Sequence, residues 1–273
     1  MPIAEEILNS HGQYRHSRVS IDLSAIRYNY QKLKTLSGDS QLIAVVKADA
    51  YGHGAIQVAK ALPNADAFAV AAVGEAVSLR ESGITQKILI MGGFISPTEL
   101  QVCIDLQLDP VIHQQFHIDC LRDNPSLNQI QVWMKVDSGM GRLGFSANSV
   151  NNAIEQLKKI STLGQLRMMS HFASADEVDN DQTEAQMKTI NNLKLDEYEW
   201  GISNSAGIIA WPQLHKTWVR SGIAMYGANP MSNRKQVPLN LRPAMTMTTS
   251  VLSVNPHNKG DVIGYAGSYT CPE

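Results

Sequence analysis

Short apolar runs alternate with amphipathic stretches along most of the chain. The runs are rich in β-branched residues, as strands buried in a parallel sheet are, and the stretches between them repeat apolar residues at helical spacing. This alternation predicts a series of strand–helix units around a parallel sheet. The predicted strands cover residues 42–48, 67–73, 87–93, 109–113, 130–137, 166–172, 199–205 and 218–227.

The number of these units indicates how the sheet is arranged. Eight units in roughly 200 residues favour an α/β fold of the closed (β/α)8 TIM-barrel type over an open doubly wound sheet. We therefore predict a barrel domain over residues 17–240, preceded by an N-terminal tail over residues 1–16.

The pattern changes after residue 240. From there the chain shows the alternation of antiparallel strands, with a turn signal at Asn258–Gly260 between two runs. This pattern predicts the start of a mainly β C-terminal domain over residues 241–273. About thirty residues are too few for a stable sheet of their own, so we expect this domain to be truncated.

Composition excludes several classes of function. The 23 Lys and Arg balance 25 Asp and Glu, so the basic field that nucleic-acid binding requires is missing. No apolar run approaches the roughly 18 residues of a membrane span, and the N-terminus does not resemble a signal peptide. The three cysteines are widely spaced and form no metal-binding cluster, which is typical of reduced thiols in a cytoplasmic protein. We expect no nucleic-acid partner, no membrane and no metal.

A lysine stands at the end of the first predicted barrel strand. Lys47 lies in the segment AVVKADAYGHGA, between Val46 and Ala48 and directly before a glycine-containing loop. Such a lysine is either an edge residue with its charged head in solvent or a buried amine whose pKa is lowered for chemistry. The residues at the ends of the other strands bear on this choice, because a barrel builds its active site from all its carboxyl ends.

Polar residues follow four later strands. Arg142 lies in the glycine-containing segment VDSGMGRLGF, His171 ends the sixth strand, Ser205 follows the seventh, and Arg220 lies in the eighth. Each alone fits a structural role, respectively a solvated loop charge, a core histidine, a helix N-cap and half of an ion pair. Their shared position at predicted carboxyl ends favours a common site.

The last two strands also predict a phosphate site. The hydroxyl of Ser205 and the backbone N–H groups of Gly222 and Ile223 are the kind of donors that bind a phosphate at the final strands of a barrel. A lysine, a phosphate site and a second cation together point to pyridoxal 5'-phosphate (PLP). Its aldehyde condenses with a lysine amine, and its ring acts as an electron sink.

Six segments resemble the alanine racemase family of PLP enzymes of fold type III, in the family's order and at its separations, from Ser17 onward. They are AVVKADAYGHGA, VDSGMGRLGF, MSHFASADE, NSAG, VRSGIAMYGANP and GYAGSYT. The resemblance implies a homodimeric, PLP-dependent isomerase with an active site shared across the interface. Its substrate would be alanine, interconverted between the L and D forms for peptidoglycan precursors or for alanine catabolism.

The resemblance also implies a role for each site residue. Lys47 would bind PLP covalently and act as the base on one face of the substrate, and Tyr265 would be the second base, supplied by the other subunit. Arg142 would lie near the substrate carboxylate, and Lys135 would carry a carbamate that orients this arginine. The other residues expected at the cofactor are Tyr51, His171, Asn204, Ser205, Arg220, Gly222 and Ile223.

Two bases make chemical sense, because racemisation removes a proton from one face of the α carbon and returns it to the other. A phenol with a pKa of about 10 is a poor base at neutral pH. We therefore expect positive charges on His171 and Arg220 to lower the pKa of Tyr265. Arg220 would also donate to the pyridine nitrogen without giving up a proton, which makes the ring a weaker electron sink.

The family's second domain continues for roughly another hundred residues, as is usual for a domain. We therefore expect residues 1–273 alone to bind PLP weakly and to show negligible racemase activity. Two other functions stay open, namely a broad-specificity amino-acid racemase of the same fold and a non-catalytic PLP-binding barrel. The segment GYAGSYT argues against the second, because a PLP carrier has no use for a second base.

Overall fold

The computed structural model describes residues 16–233 and 239–272. The strands are β1 (Arg18–Ile21), β2 (Gln41–Val45), β3 (Ala67–Val70), β4 (Lys87–Ile90), β5 (Asp109–Ile112), β6 (Ile130–Lys135), β7 (Leu163–Met169), β8 (Trp200–Gly201), β9 (Trp218–Ser221), β10 (Met245–Thr248), β11 (Val262–Ile263) and β12 (Tyr269–Thr270). The α-helical segments are α1 (Leu23–Leu36), α2 (Lys47–Gly52), α3 (Ala55–Ala61), α4 (Val73–Glu81), α5 (Pro97–Asp105), α6 (Gln115–Asp123), α7 (Val150–Lys158), α8 (Gln182–Asn192) and α9 (Ser205–Ala210).

Strands β2 to β9 form a closed barrel in sequential order, with every neighbouring pair parallel. The predicted (β/α)8 barrel is therefore confirmed. All eight predicted strands extend too far at their carboxyl ends, by one to six residues. The first ends at Val45, the seventh is only Trp200–Gly201, and the eighth ends at Ser221. In each case the residues beyond the strand turn away from the sheet and line the loops at that end of the barrel.

Alternate residues of each strand face the barrel axis, as the two-residue period of a strand requires. Large side chains fill this interior, and the indole rings of Trp133 and Trp218 meet edge to face at 5.7 Å. The other set of strand residues, such as Phe68 and Ile88, packs against the helices. The interior layer consists of Ile43, Val45, Ala67, Ala69, Leu89, Val111, Trp133, Met169 and Trp218.

A buried ion pair closes the amino end of the barrel. The Nε of Arg167 donates to Glu199 at 2.7 Å, and its Nη1 lies 3.8 Å from the carboxylate of Asp109. The guanidinium also lies 5.6 Å from the ring centre of Trp133 and 5.8 Å from that of Trp218. These contacts tie together the amino ends of the strands that carry Asp109, Trp133, Arg167 and Trp218.

The chain forms two compact units. One spans residues 21–245 and contains the barrel; the other combines the described residues up to Ser20 with those from Thr246 onward. In the smaller unit β11 pairs antiparallel with β12, and β10 pairs with β1. The turn predicted at Asn258–Gly260 is present, since the N–H of Asp261 donates to the carbonyl of Asn258 at 3.0 Å. The runs on either side of this turn do not pair with each other among the described residues. Strand β10 pairs with β1 instead, and β11 pairs with β12.

Within the described ranges, no helix is both long and apolar enough to cross a bilayer. The same residues contain no cluster of His, Cys, Asp and Glu that could hold a metal ion. Cys103, Cys120 and Cys271 are free thiols.

Candidate active site

The carboxyl ends of the barrel strands surround a cavity of about 280 Å³. It brings together every site residue predicted from the sequence except Tyr265, which belongs to the smaller unit. The predicted residues that line it are Lys47, Tyr51, Lys135, Arg142, His171, Asn204, Ser205, Arg220, Gly222 and Ile223. Residues far apart in the chain converge here because parallel strands end at the same side of a barrel.

Lys47 lies in a left-handed turn and not in a strand, which corrects the prediction. Strand β2 ends at Val45, and the four residues Ala48–Tyr51 have φ between 51° and 55°. A left-handed conformation costs about 1–2 kcal/mol for each residue that is not glycine, so outside contacts must hold the turn. Two carboxylates do so: Glu75 accepts the N–H of Ala48 at 2.6 Å, and Asp49 accepts the N–H of Ala55 at 2.7 Å.

Tyr51 ends this turn with its hydroxyl against Gly222. A Cβ at Gly222 would collide with the Tyr51 Oη, so only glycine leaves room for the phenol. The ring packs 5.0 Å from that of Tyr226, whose own hydroxyl donates to the carbonyl of Val45 at 2.8 Å. Burial raises the pKa of Tyr51, so its hydroxyl stays protonated and able to donate at neutral pH.

Ser205 begins α9 and joins it to the end of β9. Its Oγ accepts the N–H of Gly222 at 3.0 Å and that of Ala224 at 3.4 Å. The Gly222 N–H, expected to face a phosphate, is therefore directed at the Ser205 hydroxyl. The N-cap of α9 is Asn204, whose Oδ1 accepts the N–H of Gly207 at 2.9 Å. Ser205 is thus not the cap, and its hydroxyl lines the cavity.

Arg220 is buried, and it is not half of an ion pair. Its Nη1 donates to the carbonyl of Gly201 at 2.6 Å, and its Nη2 donates to the carbonyls of Ser170 at 2.7 Å and Ile202 at 3.2 Å. Burial and the nearby charge of Arg142 lower its pKa to about 10, so the guanidinium remains positive at neutral pH. Three carbonyl oxygens thus hold a fixed positive charge at the wall of the cavity.

His171 is neutral at neutral pH. Burial lowers its pKa well below the usual range, and the charges of Arg220, Lys135, Arg142 and Lys47 act in the same direction. Its Nδ1 lies 3.2 Å from the Nη2 of Arg220, which can only donate, so the imidazole proton is on Nε2. The expectation that His171 supplies a positive charge to lower the pKa of Tyr265 is therefore wrong; of the two residues, only Arg220 is charged.

Lys135 is a second lysine in the cavity, at the end of β6, and only 6% of it is exposed. Burial lowers the pKa of its amine to about 7, and the positive charges of Arg220 and Arg142 lower it further against the opposing effect of Asp137. A substantial fraction of this amine is therefore neutral at physiological pH. A neutral amine is a nucleophile, which an ordinary surface lysine is not.

Arg142 is carried by a loop that Asp137 organises. One oxygen of the Asp137 carboxylate accepts the backbone N–H groups of Gly139, Met140 and Gly141 at 2.9–3.1 Å. Gly139 and Gly141 have φ of +138° and +70°, conformations that favour glycine. The loop turns tightly enough to place the exposed Arg142 at the rim of the cavity.

Tyr265 opens a short 3-10 turn, Tyr265–Gly267, in the smaller unit. Its side chain is fully exposed. Its role as a second base stays a prediction.

The cavity also contains residues that the sequence did not single out. Asp176 lies within the segment MSHFASADE, so this segment could have indicated that Asp176 is near the site, but nothing in the sequence indicated its role. The apolar members are spread over separate loops and carry no motif. The additional residues lining the cavity include Met91, Leu143, Asp176 and Pro230.

Comparison with known proteins decides the family. Residues 21–230 match the family described as alanine racemase, N-terminal domain. The chain belongs to the alanine racemase family. It is 38% identical to alanine racemase from Vibrio parahaemolyticus over 256 residues, which is 93% of this chain and 72% of that relative. It is also 38% identical to the catabolic alanine racemase of Pseudomonas aeruginosa over 258 residues, or 94% of this chain and 72% of that protein.

Solved structures of the alanine racemase family have the same fold. The biosynthetic alanine racemase of Pseudomonas aeruginosa superposes with a TM-score of 0.90 at 34% identity, covering 94% of this chain and 73% of that one. Alanine racemase from Bacillus anthracis with bound L-Ala-P superposes with a TM-score of 0.82 at 31% identity, covering 94% and 70%. Both biosynthetic and catabolic alanine racemases are therefore among its relatives.

Proposed function

We propose that the protein is a PLP-dependent alanine racemase that interconverts L- and D-alanine. The observation that carries this proposal is the convergence of Lys47 with hydroxyl donors and fixed cations in one cavity at the carboxyl ends of the barrel. Membership of the alanine racemase family supports the reaction and the substrate.

The residues present fit PLP. The missing side chain at Gly222 leaves space that the Tyr51 hydroxyl approaches, and the Ser205 hydroxyl lies beside it, so two donors are available for a phosphate. Lys47 would hold the aldehyde carbon, and Asn204 and the backbone at Ile223 complete the wall next to the phosphate. When bound, PLP supplies an electron sink that makes the α-carbon proton of an amino acid acidic.

Arg220 and His171 would face the pyridine ring. Arg220 is held by three backbone carbonyls and keeps its charge, so it donates a hydrogen bond to the ring nitrogen and does not transfer a proton. The neutral imidazole of His171 offers a flat, uncharged surface beside it. With Arg220 at the ring nitrogen that nitrogen would stay unprotonated and the ring would be a weaker electron sink, which would disfavour side reactions such as transamination.

Proton transfer would use one base on each face of the substrate. The Lys47 amine takes or returns the α-carbon proton on one face, and the phenol of Tyr265 from the partner subunit does so on the other. The full exposure of Tyr265 makes it available to a second subunit. The protein would therefore act as a homodimer.

Arg142 would bind the substrate carboxylate, with Lys135 as its support. The neutral Lys135 amine attacks carbon dioxide, forms a nitrogen–carbon bond and releases one proton, which yields a carbamate. The cations that lower the pKa of Lys135, Arg220 and Arg142, also stabilise the negative charge of a carbamate. A charge-assisted hydrogen bond between carbamate and guanidinium would fix the orientation of Arg142.

The size of the cavity supports a small substrate. About 280 Å³ lies at the lower end of the range for ligand sites, roughly 300–1,000 Å³, and PLP itself would fill much of it. Alanine has the smallest side chain of the chiral amino acids, which suits a small remaining space.

The experiment that tests PLP binding is borohydride reduction of the PLP-treated protein followed by peptide mapping. We expect the pyridoxyl group on Lys47, and no label in the Lys47→Ala variant. Lys60, exposed on α3, is the control lysine and should stay unlabelled. Labelling of Lys135 or of no lysine would overturn the assignment.

A subunit-mixing experiment tests the shared site. In a form extended to the length of the relatives, the variants Lys47→Ala and Tyr265→Phe are each expected to be inactive, while a mixed dimer contains one site with both bases intact. We expect mixing to restore racemisation, measured by D-amino-acid detection. Failure to restore it between variants that demonstrably exchange subunits would place both bases in one chain.

The same assays separate the other functions. Racemisation of several amino acids at similar rates by this extended form would indicate a broad-specificity racemase, and PLP on Lys47 with no racemisation even by the extended form would favour a non-catalytic barrel. Negligible turnover by residues 1–273 alone stays a prediction. It is measured against a form extended to the length of the relatives, which we expect to be active.

A further inference from the structure

Gln186 is a buried amide on α8, outside the cavity wall, with only 1% of its surface exposed. All of its hydrogen-bonding groups are used. Its Nε2 donates to the carbonyl of His171 at 2.9 Å and to the Oγ of Ser138 at 3.1 Å, and its Oε1 accepts the N–H of Ala173 at 2.9 Å. One side chain therefore joins the loop after β6 to the segment after β7.

The bond to Ser138 continues into a directed chain of hydrogen bonds. The Oγ of Ser170 lies 2.9 Å from the carbonyl of Val136, which can only accept, so the Ser170 proton points there. The Oγ of Ser138 lies 2.8 Å from the Oγ of Ser170 and must therefore donate to it. Since a hydroxyl has one proton, Ser138 in turn accepts from Gln186. The order is Gln186 to Ser138 to Ser170 to Val136.

Members of this network also contact Arg220 and the backbone of His171. The carbonyl of Ser170 accepts the Nη2 of Arg220 at 2.7 Å, and the carbonyl of His171 is one of the acceptors of Gln186. The Nη2 of Arg220 in turn lies 3.2 Å from the Nδ1 of His171. Gln186 thus holds the backbone of His171 directly, and it reaches Ser170, whose carbonyl holds the guanidinium, through the hydroxyl of Ser138.

We propose that Gln186 is a positioning residue that sets the placement of His171 and Arg220 against the pyridine ring of PLP. The inference rests on the proposed PLP site, and it adds a residue that does not itself touch the cavity. No other side chain of similar size offers two donors and one acceptor in this arrangement. Methionine offers neither, and glutamate offers acceptors where two donors are needed.

The test compares PLP binding by the whole chain and by its variants. Gln186→Met keeps the length of the side chain and removes its three hydrogen bonds, so buried polar groups lose their partners. We expect the Kd for PLP, measured by titration of the protein with the cofactor, to rise about tenfold or more. The visible circular dichroism of the bound cofactor should also change, because it reports how the ring is oriented.

Ser138→Ala keeps the test decisive if Gln186→Met does not fold. This variant interrupts the same chain from the other side and leaves α8 intact. We expect a smaller change in Kd and in the dichroism. In the double variant the fold-change in Kd should be less than the product of the two single fold-changes, because both substitutions break one connected network.

Met187→Ala is the matched control, since Met187 is buried on the same helix but takes no part in the hydrogen-bond network of Gln186. Loss of its side chain should lower the melting temperature and leave the Kd for PLP and the dichroism unchanged. The inference is wrong if Gln186→Met and Ser138→Ala bind PLP like the unsubstituted protein, or if their changes merely follow melting temperature as in Met187→Ala. If the unsubstituted protein binds no PLP at all, the proposed function fails and this inference fails with it.

Discussion

The carboxylate of Glu75 accepts the backbone N–H of Ala48, the residue directly after Lys47, at 2.6 Å. Its second oxygen accepts the N–H groups of Ala71 at 2.7 Å and Ala72 at 3.2 Å. Glu75 lies in the first turn of α4, so one side chain links the start of that helix to the left-handed turn of the lysine. The strained backbone directly after Lys47 is therefore held from a different strand–helix unit.

We predict that Glu75→Gln loosens this turn. An amide has only one accepting oxygen, so its NH2 group would face one of the two sets of backbone N–H groups. That set, either Ala48 or Ala71 and Ala72, would lose its acceptor. The Kd for PLP should rise about tenfold, as expected when a buried or half-buried charge-assisted bond is lost. Titration with PLP measures this. Glu81→Gln, at the exposed end of the same helix, should behave like the unsubstituted protein; equal affinities for all three proteins would show that the turn is stable without Glu75.

The contact between Tyr51 and Gly222 gives a second prediction. In Gly222→Ala the new methyl group collides with the Tyr51 Oη and displaces it, so PLP should bind about tenfold more weakly if that hydroxyl binds the phosphate. Tyr51→Phe should weaken binding to a similar degree. Adding Gly222→Ala to Tyr51→Phe should have a smaller effect than Gly222→Ala alone, because the collision with the Oη is gone and only a tight contact of 3.1 Å with the ring Cζ remains.

Gly74→Ala is the control for this series. A Cβ at Gly74 meets nothing within 4 Å, so we expect unchanged PLP binding and slightly higher stability from the better helix former. A double variant much weaker than Tyr51→Phe alone would mean that Gly222 serves the site in another way.

The lowered pKa of Lys135 makes stability depend on pH. Its pKa is about 7 in the folded protein against 10.5 for an ordinary lysine, so between these values the unfolded chain binds more protons. The free energy of unfolding from this group therefore rises as the pH rises from about 7 towards 10.5, and the full penalty for the buried charge is present below pH 7. Lys135→Met should have a higher melting temperature at pH 6 and a smaller difference at alkaline pH. Thermal melts in carbonate-free buffer measure this, with Lys60→Met as the exposed control.

Reaction of Lys135 with carbon dioxide should remove part of the destabilisation caused by its buried positive charge. Adding bicarbonate at pH 8 should raise the melting temperature of the unsubstituted protein and add the mass of one carbon dioxide at Lys135, seen by native mass spectrometry. Neither change should occur in Lys135→Met. An unchanged mass would argue against a carbamate as the support of Arg142.

The contribution of Asp109 to stability falls as the pH rises, whereas that of Lys135 increases. Burial raises its pKa to about 6, outweighing the nearby charges of Arg167, Lys87 and Arg80. The folded state therefore binds the proton more tightly than the unfolded chain, and the stability that this provides below pH 4 is lost as the pH rises through 6. Asp109→Asn should melt higher than the unsubstituted protein at pH 8, with the difference disappearing towards pH 4.

Asp39→Asn, on an exposed loop, is the control for Asp109 and should show no such pH-dependent difference. A lower melting temperature of Asp109→Asn at every pH would mean that the attraction to Arg167 outweighs the burial of the carboxylate.

The barrel and the membership of the cavity could be predicted because they depend on local pattern and on one geometric rule. Apolar β-branched runs identified all eight strands, and the convergence of parallel strand ends placed Lys47, Arg142, His171 and Arg220 together. The left-handed turn at Ala48–Tyr51 could not be predicted. Alanine favours the right-handed helix, and the carboxylate of Glu75 that supports the turn lies 27 residues away in the sequence.

The charge states of the site residues could not be predicted from the sequence for a related reason. The pKa values of His171 and Lys135 depend on burial and on the cations of Arg220 and Arg142, which are brought close only by closure of the barrel. The role of Gln186 could not be predicted for the same reason, because its partner Ser138 lies in the loop of another strand–helix unit and His171 lies 15 residues earlier in the sequence.

The ion pair of Arg167 and Glu199, with Trp133 and Trp218 above it, blocks the barrel axis beneath the cavity. A molecule that enters from the carboxyl end must leave through the same opening. For most enzymes a single doorway forces substrate and product of different shapes to share one passage. The two forms of alanine have equal volume and charge, so one opening of one size and charge serves for the entry of either form and the release of the other. A racemase therefore needs no second exit through the floor of its barrel.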